Sequence, residues 1–319
     1  MLASMDVIDT LLDRSIALGY GNLGLAVRRR LPGWPPDPPR MDGRVVLVTG
    51  AASGIGLAAC RGLARLGASV RAVARNEERA REAAEHILAA VPDADVRPLA
   101  CDLSDLLALR ALADRLLAGE ERLDVLVHNA GVMPDHRTRS CDGHELMFAI
   151  HVLAPFALNT WLAKLLERSA PARIITVSSG GMYGQRLPNG DPESERTAYS
   201  PSKLYARTKR EQVVLSELWA GRLADRGVVV HSMHPGWAET PGLARSLPGF
   251  RAAARLMLRD PDEGADTILW LAGAPEALDS TGRFWHDRRP RPTHYRLGAG
   301  DDPPQSQRLL WDYCEAAIA

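Results

Sequence analysis

The chain has 319 residues, 39 basic and 39 acidic side chains, and 46% apolar residues. A chain of this length buries a large core, and zero net charge argues against nucleic acid as the principal ligand. The four cysteines (Cys60, Cys101, Cys141, Cys314) show neither C-x-x-C nor metal-ligand spacing, so no metal site or disulfide framework is expected and a reducing, cytoplasmic compartment fits.

No run of about 18 apolar residues occurs, so no membrane-spanning helix is expected. Asp6, Asp9 and Asp13 stand where a secretory signal needs a basic start and an unbroken apolar stretch. Residues 1–40 read as an N-terminal helical extension followed by a stiff proline-rich linker, residues 31–39. Met5, Ile8, Leu12 and Ile16 recur at helical spacing while the aspartates fall on another face. Such a helix packs on the main domain or a partner subunit, or attaches to a membrane surface with the help of Arg28–Arg30. The pattern leaves these open.

From Met41 short β-branched runs alternate with Ala/Leu/Arg-rich stretches. Residues 44–48, 69–74, 96–100, 125–128, 173–177, 228–233 and, more weakly, 283–285 read as strands. Residues 56–66, 77–90, 104–118, 145–168 and 203–224 read as helices between them. Continuous apolar strands alternating with helices indicate a parallel sheet covered on both faces. The expected fold is α/β: a single Rossmann-type doubly wound parallel sheet over residues 41–319, with the N-terminal extension attached.

The first strand runs into Thr49-Gly-Ala-Ala-Ser-Gly-Ile-Gly56. Here Gly50, Ser53, Gly54, Ile55 and Gly56 form a turn whose backbone approaches a pyrophosphate at the following helix N-terminus. After the second strand Arg75 occupies the position where an acid takes the ribose hydroxyl of NAD; an arginine there accommodates a 2′-phosphate, so NADP(H) is favoured over NAD(H). Asp102, followed by Leu103, is placed to accept from the adenine amino group. Asn129, Ala130 and Gly131 end the fourth strand with small residues that allow close approach to the dinucleotide.

Two Tyr-x-x-x-Lys pairs follow, Tyr199–Lys203 and Tyr205–Lys209. Side chains four apart share a helix face, and an ammonium there lowers the pKa of a phenol, a proton-transfer device. Pro201 lies inside the first pair, and proline is tolerated in a helix's first turn rather than its interior. Tyr199 therefore precedes the helix and need not share a face with Lys203.

The ordered set T-G-x-x-x-G-I-G, N-A-G, serine pair, Y-x-x-x-K and P-G resembles the short-chain dehydrogenase/reductase family over roughly residues 42–290. The segments 177–183 and 233–241 resemble its retinol-dehydrogenase-like group, and 282–294 the branch called dehydrogenase/reductase family member 12. The resemblance implies NAD(P)-dependent interconversion of an alcohol and a carbonyl. Family spacing puts the catalytic tyrosine about 30 residues before the Pro-Gly after strand six; Tyr205 is 30 and Tyr199 is 36 residues before Pro235. The resemblance makes Tyr205 the proton donor, Lys209 its partner and holder of the nicotinamide ribose, and Ser179 the orienting serine, with Ser178 the alternative. Pro235 and Gly236 join the cofactor set.

His151 stands where the family commonly has an asparagine that helps hold a water beside the lysine. It acts as a substitute, or it is a buried structural histidine with an altered proton route. A substrate-covering segment is expected at about 240–260, with Met182, Tyr183 and Trp237 lining an apolar mouth. Arg288 and His294 lie near that mouth or at a subunit contact. The implied substrate is a hydrophobic small-molecule alcohol or ketone, and a homo-oligomer is compatible with the sequence. Two rivals remain: a dinucleotide-binding regulatory protein whose His151 marks lost catalysis, and an epimerase of sugar nucleotides, which the P-G-W and S-S-G-G segments disfavour.

Overall fold

The computed structural model describes residues 2–295 and 300–319, and leaves out the side chains of residues 2–6, 16 and 17. The expected roles of Met5, Asp6 and Ile16 therefore lie outside the described side chains. Three helices, α1 (Leu2–Arg14), α2 (Ile16–Gly19) and α3 (Asn22–Arg28), precede the linker. The sheet region runs β1 (Val45–Thr49), α4 (Gly54–Arg65), β2 (Ser69–Ala74), α5 (Glu77–Ala90), β3 (Val96–Ala100), α6 (Leu106–Gly119) and β4 (Val125–His128). Next come α7 (Leu146–Phe148), a π-helical turn (Ala149–Leu153), α8 (Ala154–Arg168), β5 (Ala172–Val177), α9 (Pro201–Leu223) and β6 (Val228–Met233). The last elements are α10 (Pro241–Ser246), α11 (Pro248–Ala254), α12 (Pro261–Gly273), β7 (Phe284–His286), β8 (Arg289–Arg291) and α13 (Pro304–Ala317).

The eight strands form one sheet in the order β3-β2-β1-β4-β5-β6-β7-β8, parallel except for the β7–β8 hairpin. β1, β4 and β5 are buried along their whole length, as helices on both faces require, while edge strand β3 tolerates Pro98. One apolar layer joins the sheet to α6, α8, α9 and α13 through Leu112, Phe156, Trp219 and Trp311. The other joins it to α4 and α12 through Leu63, Ile268 and Trp270. Strand order reverses between β1 and β4, and this switch point opens a crevice at their C-terminal ends.

Two sequence expectations change. Residues 146–168 form one continuous helical run with mean hydropathy 1.6, long and apolar enough to cross a membrane. It lies mostly buried in the core against α6 and β5, which accounts for its composition. The second concerns α1, which turns its acidic side inward. Asp9 and Asp13 are buried, whereas Ile8 is exposed. The acidic side meets guanidinium groups rather than an apolar groove: Asp9 accepts from Arg28 Nε of α3 (2.8 Å) and from Arg291 Nη1 of the main domain (2.7 Å).

The β7–β8 turn is built on the same charges. Asp287 and Arg288 both adopt left-handed backbone (φ 53° and 55°), the pattern of a two-residue type I′ hairpin without its customary glycine. Holding two non-glycine residues there costs about 1–3 kcal/mol each. Buried ion pairs offset it: Asp287 takes Arg259 Nη1 (2.6 Å) and Arg28 Nη1 (2.6 Å), and Arg288 holds Asp266 (2.8 Å), with the exposed Asp37 (2.7 Å) beside it. Arg288 thereby also pins the proline-rich linker, donating to the carbonyls of Pro35 and Pro36.

Candidate active site

The crevice is closed at its base by backbone contacts that only glycine permits. Gly50 has φ 70°, and a Cβ on it would lie 2.8 Å from Ala130 Cα. A Cβ on Gly56 would lie 2.2 Å from Gly50 O and 2.4 Å from Asn129 Nδ2. Thr49 Oγ1 accepts from the N–H groups of Asn129 (3.1 Å) and Ala130 (3.2 Å), and Asn129 Nδ2 donates to Thr49 O (3.0 Å). The ends of β1 and β4 are thereby locked together.

Helix α4 opens at this turn with Ser53 at its N-cap, and the serine side chain makes no capping bond. The neighbouring α5 and α6 are capped, Asn76 accepting from Arg79 N and Asp105 from Ala108 N. The leading N–H groups of α4 thus stay available beside the positive end of the helix dipole, the arrangement that binds a phosphate. Residues present here fit a dinucleotide. Ile55 packs toward Gly264 of α12, and Thr240 stands over Gly54. Arg75 is exposed at the end of β2. Asp102 Oδ1 accepts from Ser104 N (2.9 Å) and Ser104 Oγ (2.7 Å), while Leu103 packs partly buried on the core.

Helix α9 settles the geometry of the two tyrosines. Pro201 is its first residue, so Tyr199 lies outside it and donates its hydroxyl to Pro134 O (2.6 Å), and Lys203 is exposed. Tyr205 and Lys209 sit within the helix, with Lys209 Nζ 5.4 Å from the Tyr205 ring centre. Ser179 lies close enough to the Tyr205 phenol to favour its ionised form. Ser178 instead donates to Lys209 O (2.7 Å) from a buried position, which leaves Ser179 as the serine facing the phenol. Lys209 is buried and donates to Val177 O (2.9 Å).

Burial decides the proton affinities. It pushes the Tyr205 phenol up to about 12, with Ser179 pulling the other way. It also depresses Lys209 to about 7. The lowering of the phenol expected from the neighbouring ammonium is therefore not found: desolvation dominates at Tyr205 and weakens the ammonium itself.

His151 occupies the π-helical turn, whose freed carbonyl is taken by Gln212 Nε2 (2.8 Å). Its Nε2 accepts from Val132 N (2.9 Å). Thr208 Oγ1 donates its one proton to Tyr205 O (2.9 Å), so His151 Nδ1–H must donate to Thr208 (2.8 Å). The ring is neutral with both nitrogens engaged, and burial together with Lys209 holds its pKa well below the usual histidine value. Gly131 lies against it, where a Cβ would make ordinary contacts with His151 Nε2 (3.4 Å) and Lys209 Nζ (3.9 Å).

The substrate-side residues separate. Trp237 is half-buried, edge-on to Phe250 (5.0 Å) and Tyr20 (6.2 Å). Met182 is fully enclosed, its sulfur accepting from Arg210 Nη1 (3.2 Å) among Val213 and Phe284. Tyr183 points its hydroxyl to Pro292 O (2.8 Å) and packs on Tyr295. The structure does not bring Met182 or Tyr183 to an open pocket, because the β7–β8 region covers them. His294 bonds Arg210, and Arg288 serves the linker, so neither stands at the mouth.

Sequence reasoning missed the collar around the Pro235–Trp237 turn. Gly236 has φ 78°, and a Cβ on it would lie 2.6 Å from both Arg259 Cζ and Tyr20 O. Trp237 N donates to Tyr20 O (2.8 Å), and Arg259 Nη1 donates to Pro235 O (3.1 Å). The Tyr20 ring presses on Gly180, one residue from Ser179, and on His234 (4.4 Å). Asp105, Cys141 and Asp142 also bring three ligand-type atoms within 4.8 Å of one another, but two of them cap α6 through Ala108 N and Leu106 N.

The sequence model of short chain dehydrogenases matches residues 44–248. Dehydrogenase/reductase SDR family member 12 of Bos taurus is 40% identical over 277 residues, 86% of each chain. Retinol dehydrogenase 14 of Mus musculus is 35% identical over 300 residues, 88% of each. A short chain dehydrogenase from Burkholderia cenocepacia, solved in complex with NADP, superposes with TM-score 0.63 at 25% identity, over 77% of this chain and 96% of that one.

Proposed function

The chain belongs to the short chain dehydrogenase family, and from that premise we propose that it is an NADP(H)-preferring oxidoreductase of the cytoplasm that interconverts an alcohol and a carbonyl on a mostly apolar small molecule. One observation carries the reading: Ser179, Tyr205 and Lys209 converge beside the crevice, with Lys209 Nζ 5.4 Å from the phenol ring and Ser179 near enough to act on the phenol. The glycine turn, Asn129–Gly131 and Pro235–Gly236 would hold the dinucleotide, and Arg75 would meet a 2′-phosphate. That cofactor supplies hydride chemistry when bound. The name of the retinol dehydrogenase relative supports a lipophilic alcohol or its carbonyl.

In this proposal Ser179 orients the substrate oxygen and Tyr205 donates its proton to a carbonyl oxygen. A phenol held near 12 is protonated at neutral pH, which suits reduction. Oxidation needs the phenolate, so its rate rises with pH while reduction at neutral pH does not. Lys209, depressed to about 7, exchanges protons near neutrality and steers its charge toward Val177 O and Tyr205. We read His151 as a brace, holding Val132 and, through Thr208, the backbone of Tyr205, rather than as a group that titrates.

The test is a carbonyl and alcohol panel followed by NADPH and NADH absorbance with Tyr205→Phe and Tyr199→Phe. Tyr205→Phe is expected to lower kcat by about 10²–10⁴ with cofactor affinity kept. Loss of turnover in Tyr199→Phe alone would sink the assignment. Tight cofactor binding without turnover on any substrate would favour the regulatory alternative.

A further inference from the structure

Seven of the eleven large apolar side chains exposed among the described residues lie in two segments. Leu11 (63% exposed), Leu18 and Leu23, with two more on α1, belong to the N-terminal helices; Leu247 and Leu256 (86% exposed) flank α11. The segments are tied together where Asn22 N donates to Met257 O (2.9 Å) and Asn22 Nδ2 to Leu256 O (3.1 Å). Helix α1 keeps Val7, Ile8 and Leu11 outward because Asp9 on its other side is consumed by the buried pairs to Arg28 and Arg291.

Charge on this face is one-sided. Residues 14–36 and 240–259 contain no Asp or Glu, although the whole chain has zero net charge. Arg14, Arg30, Arg245 and Arg255 are exposed there and join no ion pair among the described residues. Arg245 and Arg255 alternate with Leu247 and Leu256, so cationic and apolar side chains are interleaved. Guanidinium groups at phosphate level with leucines just beneath is the pattern by which interfacial helices seat on anionic lipid.

We infer that this face docks on an anionic phospholipid bilayer, peripherally and without spanning it. The same segment carries Phe250 against Trp237, so docking sets the mouth of the crevice against the lipid phase. That last step rests on the apolar-substrate reading above: a lipophilic substrate would enter from the bilayer. Docking itself does not depend on turnover.

The experiment is co-sedimentation of the full chain with phosphatidylcholine vesicles, with and without phosphatidylserine. Binding is expected only to the anionic vesicles and should weaken on raising salt. Arg245→Glu/Arg255→Glu should lower affinity by at least about fivefold per arginine. Leu18→Ser/Leu23→Ser/Leu256→Ser should lower it by at least about tenfold. Leu107→Ser, an equally exposed leucine on α6, should leave it unchanged; thermal melts of each variant confirm folding. Absence of binding to anionic vesicles, or equal binding to neutral ones, would overturn the inference. So would light scattering that shows a dimer dissociated by the leucine variant, since a second copy would then cover the face. Vesicle binding without turnover would leave docking standing and count against the enzymatic reading alone.

Discussion

The dinucleotide crevice and the collar around Pro235–Trp237 face each other across the candidate site and are built by opposite means. The crevice is apolar strand and backbone: Gly50, Gly56, Asn129 and Ala130 close it through main-chain contacts a few ångströms long. The collar is buried charge, with Arg28 bridging Asp9 and Asp287, and Arg259 joining Asp287 to the carbonyls of Pro235 and Gly21. A backbone-built site is indifferent to everything except side-chain volume. A charge-built one fails when any partner is removed, because the others are left desolvated and unpaired.

The largest expected effect breaks the collar alone. Asp287→Ala leaves both Arg28 and Arg259 without their shared carboxylate and is expected to destabilise the fold by about 3–5 kcal/mol in chemical denaturation. Asp287→Gly separates the causes, since it relieves the left-handed backbone but still removes the charge. A Gly variant as stable as the wild type would show that backbone strain, not the ion pairs, governs the hairpin.

The matching change in the crevice is Gly56→Ala. Its Cβ would intrude on Gly50 O and the Asn129 amide, and overpacking of this kind costs about 1–3 kcal/mol. The diagnostic readout is NADPH affinity by fluorescence titration, expected to collapse in Gly56→Ala and to persist in Asp287→Ala at a temperature where both are folded. Equal loss of affinity in the two would mean that the halves are not separable.

The two constructions also differ in how far each was legible in the sequence. The parallel sheet and the glycine turn follow from apolar periodicity and glycine spacing, local signals, and the choice of Tyr205 from the family's spacing to Pro235 together with a proline at position 201. The collar had no such signal. Arg28, Arg259 and Asp287 are each nearly fully buried, yet as residue types they read as surface. The inversion of α1 has the same origin, because its apolar stripe was visible and the guanidinium groups awaiting its aspartates were distant in sequence. Helices α10 and α11 went unread for a different reason: at six and seven residues they are too short to show a period, and α13 lies beyond the matched motifs.

Acid sharpens the contrast further. Asp9 is held at about 2, below its ordinary 3.8, by hydrogen bonds and charge from Arg291 and Arg28, which outweigh its burial. A carboxylate with a depressed folded pKa contributes stability above pH 3.8 that is lost as pH falls toward 2. That contribution is on the order of 1–2 kcal/mol after allowance for solvent screening. The expected result is an acid limb in the stability curve that flattens in Asp9→Asn. An unchanged limb would place the acid-labile group outside the collar.

The smallest effect concerns an arginine whose situation reverses that of the collar. Arg75 is exposed, at the end of β2 where the sheet meets the glycine turn, and no strand or helix depends on it. A charge in that position acts on whatever reaches it from solvent, here a 2′-phosphate, and exposure limits an ion pair of this kind to about 0–1 kcal/mol. Arg75→Ala should therefore leave the melting temperature unchanged and lower NADPH affinity by about fivefold at most, with NADH affinity unaltered. Arg75→Asp should go further and favour NADH, because a carboxylate repels the phosphate and accepts from the ribose hydroxyl. Unchanged NADPH affinity in both variants would make Arg75 an ordinary surface residue and leave the cofactor preference to the glycine turn. A shift confined to NADPH would show the converse of the collar: there the buried arginines maintain the fold, and here an exposed one selects the ligand.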